Sequence, residues 1–105
     1  MYARVTPVQW ADPGEREAAL GRVEALLLPA LRRAPGFRGY LALADRLSGR
    51  TFAISLWETA AQARRGPGDP GALHAACEAL GALVEPPAVY QVLRQVADPG
   101  SGAAG

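Results

Sequence analysis

The sequence contains no lysine and no asparagine, and one each of histidine, cysteine and methionine. Each shortage removes a class of chemistry. A lone cysteine, Cys77, cannot close an internal disulfide. Its neighbours Ala75, Ala76 and Ala79 lie on a helical pattern that reads as the setting of a buried, inert thiol. One His, one Cys and scattered carboxylates offer no metal-ligand spacing, so no metal is expected. Gly66-Pro67-Gly68 lacks the Lys of a phosphate-binding loop, and no nucleophile–base arrangement is visible. No apolar run approaches the roughly 20 residues that span a bilayer. Met1-Tyr2-Ala3-Arg4 also lacks the apolar core of a signal peptide. A cytoplasmic protein without a membrane partner is expected.

Arginine alone carries the positive charge, interspersed with acids to a formal net +1. No basic stripe marks a nucleic-acid footprint, and Arg64-Arg65 reads as a solvated helix end. The wealth of Ala, Gly, Pro and Leu reads as the bias of a GC-rich genome. Missing Asn and loop prolines also fit a thermophile.

The 105 residues make one domain, expected over residues 1–97, with a disordered Gly/Ala-rich tail over 98–105. Such a domain buries only roughly 60–70% of its unfolded surface, which leaves little for a deep enclosed site. A first strand is predicted over 2–10, with Pro7 at a bulge or unpaired position. Asp12-Pro13-Gly14-Glu15 opens a helix with capping-box spacing. Ala19, Leu20, Val23, Leu26, Leu27, Ala30 and Leu31 keep its helical period. Pro29 should kink or end it, and Pro35-Gly36 stops it. Strands over 37–46 and 51–57 follow, joined by the hairpin loop 47–50. Thr59-Ala60-Ala61-Gln62 caps a short helix through Arg65. Asp69-Pro70-Gly71 restarts a helix to about Val84, Pro86-Pro87 end it, and a fourth strand runs over 88–96.

This βαββαβ order gives an α+β, ferredoxin-like fold: a four-stranded antiparallel sheet with helices on one face. On the third strand Phe52, Ile54 and Leu56 point one way and are expected to take the helices. Ala53, Ser55 and Trp57 point the other way and do not make a typical solvent face. A sheet apolar on both sides needs two covers, and a second copy of the chain is the economical one.

Particular residues carry a family resemblance. Pro35-Gly36-Phe37-x-Gly39-Tyr40 enters the second strand, Ser48-Gly49-Arg50 forms the turn, and Leu56-Trp57-Glu58 precedes Thr59-x-x-Gln62. With these the chain resembles the antibiotic biosynthesis monooxygenase family of the dimeric α/β-barrel superfamily, over residues 1–96. The resemblance implies a homodimeric α/β barrel with a small apolar pocket between sheet and helices. It also implies cofactor-free monooxygenation of a small aromatic substrate. Oxygenases and haem-degrading members of that superfamily use an Asn from an early strand, and this sequence has none. Gly66 and Pro67 fall near the place of the haem degraders' helix Trp, which argues against haem degradation.

His74 is the one side chain with an ordinary pKa near neutrality and the candidate general base, with Glu78 four residues on. Trp57 is the candidate stacking residue. Tyr40, Tyr90 and Gln9 are candidate hydrogen-bonding residues, and Arg38 and Arg94 candidates for a carboxylate or enolate. No cofactor is expected. The alternative is a non-catalytic homodimer that binds a small apolar ligand or acts in stress response, and the missing Asn favours it.

Overall fold

A computed structural model describes residues 1–12, 14–68 and 70–96. The tail expected over 98–105 lies outside the described residues. The chain runs β1 (Tyr2–Trp10), α1 (Arg16–Arg33), β2 (Phe37–Ala44), β3 (Arg50–Trp57), α2 (Ala60–Arg65), α3 (Pro70–Ala79), β4 (Ala82–Val84) and β5 (Ala88–Gln91). The sheet is antiparallel in the order β2-β3-β1-β4, with β5 beside β4 on the same edge of β1. This is the ferredoxin-like α+β fold, its fourth strand split in two.

The split has a local cause. Gly81 takes a positive φ of 79°, and its N–H donates to the Glu78 carbonyl at 3.0 Å. Helix α3 therefore ends at Ala79 and not near Val84, because a left-handed glycine closes a helix cheaply. Residues Ala82–Val84 are freed to pair with Val8–Trp10. The predicted fourth strand over 88–96 thus starts earlier and stops sooner, at Gln91. Pro86 and Pro87 have no N–H to offer a ladder, and they divide β4 from β5. Val8 pairs with Val84 but Val5 with Ala88, so the register slips by one residue there. Pro7 lies opposite this irregularity, and its carbonyl accepts from Glu85 N at 3.0 Å.

Helix α1 begins at Arg16, later than Asp12 suggests, and Glu15 gives no side-chain cap. Asp12 Oδ1 instead accepts from Gly14 N at 2.9 Å, closing the turn before the helix. The helix continues through Pro29 to Arg33. Helix α2 has the predicted capping box: Gln62 N donates to Thr59 Oγ1 at 3.2 Å, and Thr59 N to Gln62 Oε1 at 3.1 Å.

The two faces of the sheet reverse the expected assignment. Register places Arg4 beside Ser55, Thr6 beside Ala53 and Val8 beside Thr51. These residues face the helices, with Tyr2, Trp10, Trp57 and Tyr40. Period-two alternation then puts Phe52, Ile54 and Leu56 on the other face, with Val5, Leu41, Leu43, Leu83 and Tyr90. Among the described residues no helix covers that face, and Leu41, Leu43, Leu83 and Tyr90 are 41%, 48%, 64% and 58% exposed. Bulk on β3 therefore points away from the helices.

The core divides accordingly. One cluster holds Val8, Trp10, Ala19, Val23, Cys77 and Ala82. The other holds Leu31, Trp57 and Ala63, with Leu27, Leu28, Phe37 and Val89 packed around them. Phe37 meets Trp57 edge to face, ring centres 5.8 Å apart. Thr59→Ala removes one half of the α2 capping box and should lower stability by about 1 kcal/mol. Urea unfolding of the two proteins side by side measures this.

Candidate functional site

Small side chains face the helices from the middle of the sheet, so sheet and helices do not meet there. A cavity of ≈ 320 Å³ lies between the two core clusters. This is the small end of the range for ligand pockets. Its floor is Arg4, Thr6 and Val8 of β1 and Thr51, Ala53 and Ser55 of β3. Helix α1 contributes Leu20, Val23, Leu27 and Leu31, while α3 contributes Leu73, His74 and Cys77.

Two indoles organise that floor. Trp10 Nε1 donates to Thr51 Oγ1 at 2.8 Å, and Trp57 Nε1 donates to Ser55 Oγ, also at 2.8 Å. Each hydroxyl oxygen is thus an acceptor from an indole, and its own proton is available to a ligand acceptor. Thr51 and Ser55 are both buried. They stand four residues apart on one strand, roughly 13 Å, near opposite ends of the cavity.

Tyr40 also lines the cavity, and its hydroxyl donates to Glu24 Oε2 at 2.8 Å. Burial, first, and then the hydrogen bond to Glu24 and its charge hold the phenol well above its ordinary pKa. Tyr40 is therefore a fixed donor at neutral pH and not a base. His74 stands at the rim. Its side chain is 47% exposed, and Nε2 lies 2.5 Å from Glu78 Oε1. The contact uses Nε2 alone, and Nδ1 takes no part in it. Cys77 is buried at the cavity wall, and burial pushes its thiol pKa up. It is poorly suited to nucleophilic work.

Of the residues singled out from sequence, the fold brings Tyr40 and His74 to one cavity. Trp57 is 1% exposed and does not line it. It lies between Leu31 and Ala63, supports Ser55 from below, and borders a shallower hollow with Arg33, Gln62 and Arg65. Gln9 and Tyr90 lie on the bare face, because alternation turns them away from Val8, Trp10 and Val89. Gln9 Nε2 donates to the Ser48 carbonyl at 3.2 Å. Arg38 forms a surface ion pair with Glu58, and Arg94 is exposed. Sequence reasoning missed Arg4 and the hydroxyls of Thr6, Thr51 and Ser55. The available signal was alternation: Arg4 shares its face of β1 with Val8 and Trp10, an odd place for a charge. Among the described residues no group of three or more His, Cys, Asp or Glu could hold a metal ion. No helix among them is long and apolar enough to cross a membrane.

Spectrophotometric titration checks the Tyr40 environment. Wild type should retain one phenol that ionises well above pH 10, and Tyr40→Phe should lack it. The folded state holds that proton more tightly than the unfolded chain. Its contribution is therefore complete below the ordinary tyrosine pKa of about 10 and is lost as pH rises through the folded value. The stability advantage of wild type over Tyr40→Phe should shrink across that alkaline window.

Comparison with known proteins gives the fold a setting. No family model matches the chain. An uncharacterized protein of Mycobacterium tuberculosis (strain CDC 1551 / Oshkosh) is 39% identical over 59 residues, 56% of this chain and 25% of its own length. The chain thus spans about a quarter of the curated relatives it matches. Among solved structures, a candidate antibiotic biosynthesis monooxygenase from Deinococcus radiodurans aligns with a TM-score of 0.68. It shares 17% identity and covers 93% of this chain and 98% of its own. SnoaB, a cofactor-independent oxygenase from Streptomyces nogalater, aligns at 0.64 and 23% identity as an asparagine-to-alanine variant. That alignment covers 92% of this chain and 97% of SnoaB. A dimeric ferredoxin-like protein from an uncultured marine organism aligns at 0.65 and 10%, over 93% of this chain and all of that one (100%). The chain has the ferredoxin-like fold of antibiotic biosynthesis monooxygenases.

Proposed function

We propose that this cavity binds a small aromatic molecule and that the protein oxidises it with molecular oxygen, without a cofactor. The observation that carries the reading is a mostly apolar cavity with a carboxylate-paired histidine at its rim. The fold shared with a cofactor-independent oxygenase supports it.

His74 Nδ1 takes a proton from a phenol or from the carbon beside an aromatic ketone. Glu78 stabilises the imidazolium so formed, the task of the orienting carboxylate in a catalytic triad. The substrate carbanion or phenolate then supplies every electron. In an anthrone-type substrate one oxygen atom replaces the two hydrogens of the reacting CH₂ as a carbonyl. The other oxygen leaves with those hydrogens as water. Leu20, Val23, Leu27 and Leu31 hold the ring and exclude solvent, and the floor hydroxyls orient its oxygens.

Oxygen uptake with an anthrone-type phenol should exceed the buffer rate in wild type. It should fall about a hundredfold in His74→Ala, the usual scale for losing a general base. Equal uptake in both proteins would remove His74 from the reaction. Uptake no faster than buffer would leave binding without turnover, the reading that the absence of asparagine favours. Native mass spectrometry would then show a bound small molecule that is lost on denaturation.

The bare sheet face supports a second part of the proposal, a homodimer. Contiguous apolar surface of this kind marks interaction sites, and Phe52, Ile54, Leu41, Leu43 and Leu83 form it. Two such faces packed together would close the barrel. Light scattering at micromolar concentration should give twice the 11.0 kDa chain mass for wild type and the single-chain mass for Ile54→Arg. A wild-type monomer would overturn it.

A further inference from the structure

Arg4 is a cation on the cavity wall. Among the described residues it forms no ion pair. Its two hydrogen bonds both leave from Nη1, to the carbonyls of Ala63 at 3.1 Å and Arg64 at 2.8 Å. These carbonyls belong to the last turn of α2. They fix the guanidinium in place and leave Nε and Nη2, with three N–H donors, without a protein acceptor. Neither nitrogen is sealed from solvent, and Arg4 lines the cavity.

The surroundings are built to hold this side chain. Gly66 packs directly on the guanidinium: a Cβ there would lie 2.8 Å from Arg4 Cζ and Nε. Its φ of 68° also favours glycine. Across the sheet the register runs Val89, Arg4, Ser55, Tyr40. One end of the cavity therefore gathers a guanidinium and the Ser55 hydroxyl, with Thr6 two residues along β1. The other end is walled by Val8, Trp10, Leu20, Val23 and Cys77. The cation lies at the Ser55 end, while the Trp10 end keeps the Thr51 hydroxyl, and Glu85, which also lines the cavity, is paired with Arg50.

We infer that the cavity takes an anionic ligand, an aromatic body bearing one carboxylate, with the carboxylate against Arg4 and Ser55 and the rings towards Trp10 and Val23. This rests on the reading of that cavity as the binding site. A planar fork with free donors matches the two oxygens of a carboxylate. Burial lowers the guanidinium pKa from its ordinary value, the cost of a charge with no counter-ion. A bound carboxylate would relieve it.

The test compares 2-naphthoate with methyl 2-naphthoate, equal in rings and different in charge, by calorimetry and by quenching of tryptophan fluorescence. In wild type the acid should bind at least about tenfold tighter than the ester, the scale of a charge-assisted hydrogen bond. In Arg4→Gln that preference should vanish, because the acid loses far more affinity than the ester. Equal affinities of acid and ester in wild type would overturn the inference yet leave the cavity as an aromatic site. A preference that survives in Arg4→Gln would assign the charge recognition elsewhere and also overturn it. Binding of neither probe would overturn both readings. The wild-type ratio decides the matter alone should Arg4→Gln fail to fold, which circular dichroism reports.

Discussion

The side chains of β3 alternate small and large, with Thr51, Ala53 and Ser55 towards the helices and Phe52, Ile54 and Leu56 away. Nearly everything distinctive about the molecule depends on that alternation. Helices α1 and α3 cannot close on a floor of hydroxyls and methyls, so space remains beneath them. The bulk that would have filled it faces outward on the bare side. A domain of this size needs its large apolar residues for its own core. Placing them outward weakens the monomer's own core and creates a surface suited to a second copy. A cavity inside and an apolar face outside are two results of one pattern.

Two tryptophans keep the space open. Trp10 and Trp57 are 4% and 1% exposed and sit in separate core clusters. They flank the cavity as wide spacers between sheet and helices, and each indole N–H is satisfied by a β3 hydroxyl. Buried indoles without acceptors would destabilise the fold, so Thr51 and Ser55 serve packing as well as lining. Replacing either hydroxyl with a methyl would leave an indole N–H unpaired. The floor is therefore polar for a structural reason before any ligand enters, and a ligand meets donors that are already oriented.

The order of elements was legible in the sequence because each rests on local chemistry. Thr59 with Gln62 marks a helix start wherever it stands, and Pro35-Gly36 and Ser48-Gly49 mark stops and turns. The bounds of β1 and the end of α2 at Arg65 follow from such signals. Gly81 is the counterexample. Leu80, Leu83 and Val84 continue a helical period, and only the left-handed glycine shows that the chain has left the helix. Which sheet face takes the helices was not legible from β3 alone, since the larger residues are the natural choice for a core. The neighbouring strand holds the answer. Val8 and Trp10 belong inside, and register then draws Thr51 with them. For the site, Tyr40 and His74 are visible as residue types. Arg4 becomes meaningful only when Ser55, Gly66 and the end of α2 are brought around it by contacts some sixty positions apart in sequence.

In the proposed reaction, base and cation take different jobs because they occupy different depths. His74 is at the rim, where water can carry off the proton it collects and where Glu78 steadies the charge. An exposed ion pair contributes little to stability, so in the proposed reaction Glu78 serves the imidazole more than the helix. Arg4 stands on the cavity wall, tied to carbonyls that carry only partial negative charge. There the same electrostatic interaction is stronger, since less water screens it. A substrate that bears a carboxylate is an anion in a largely apolar cavity, and in the proposed complex Arg4 is the cation against it. Exchanging the two residues would fail on both counts. An imidazole at the Arg4 position would lack Glu78 to steady its charge, and a rim arginine would be screened by solvent from the charge it must hold.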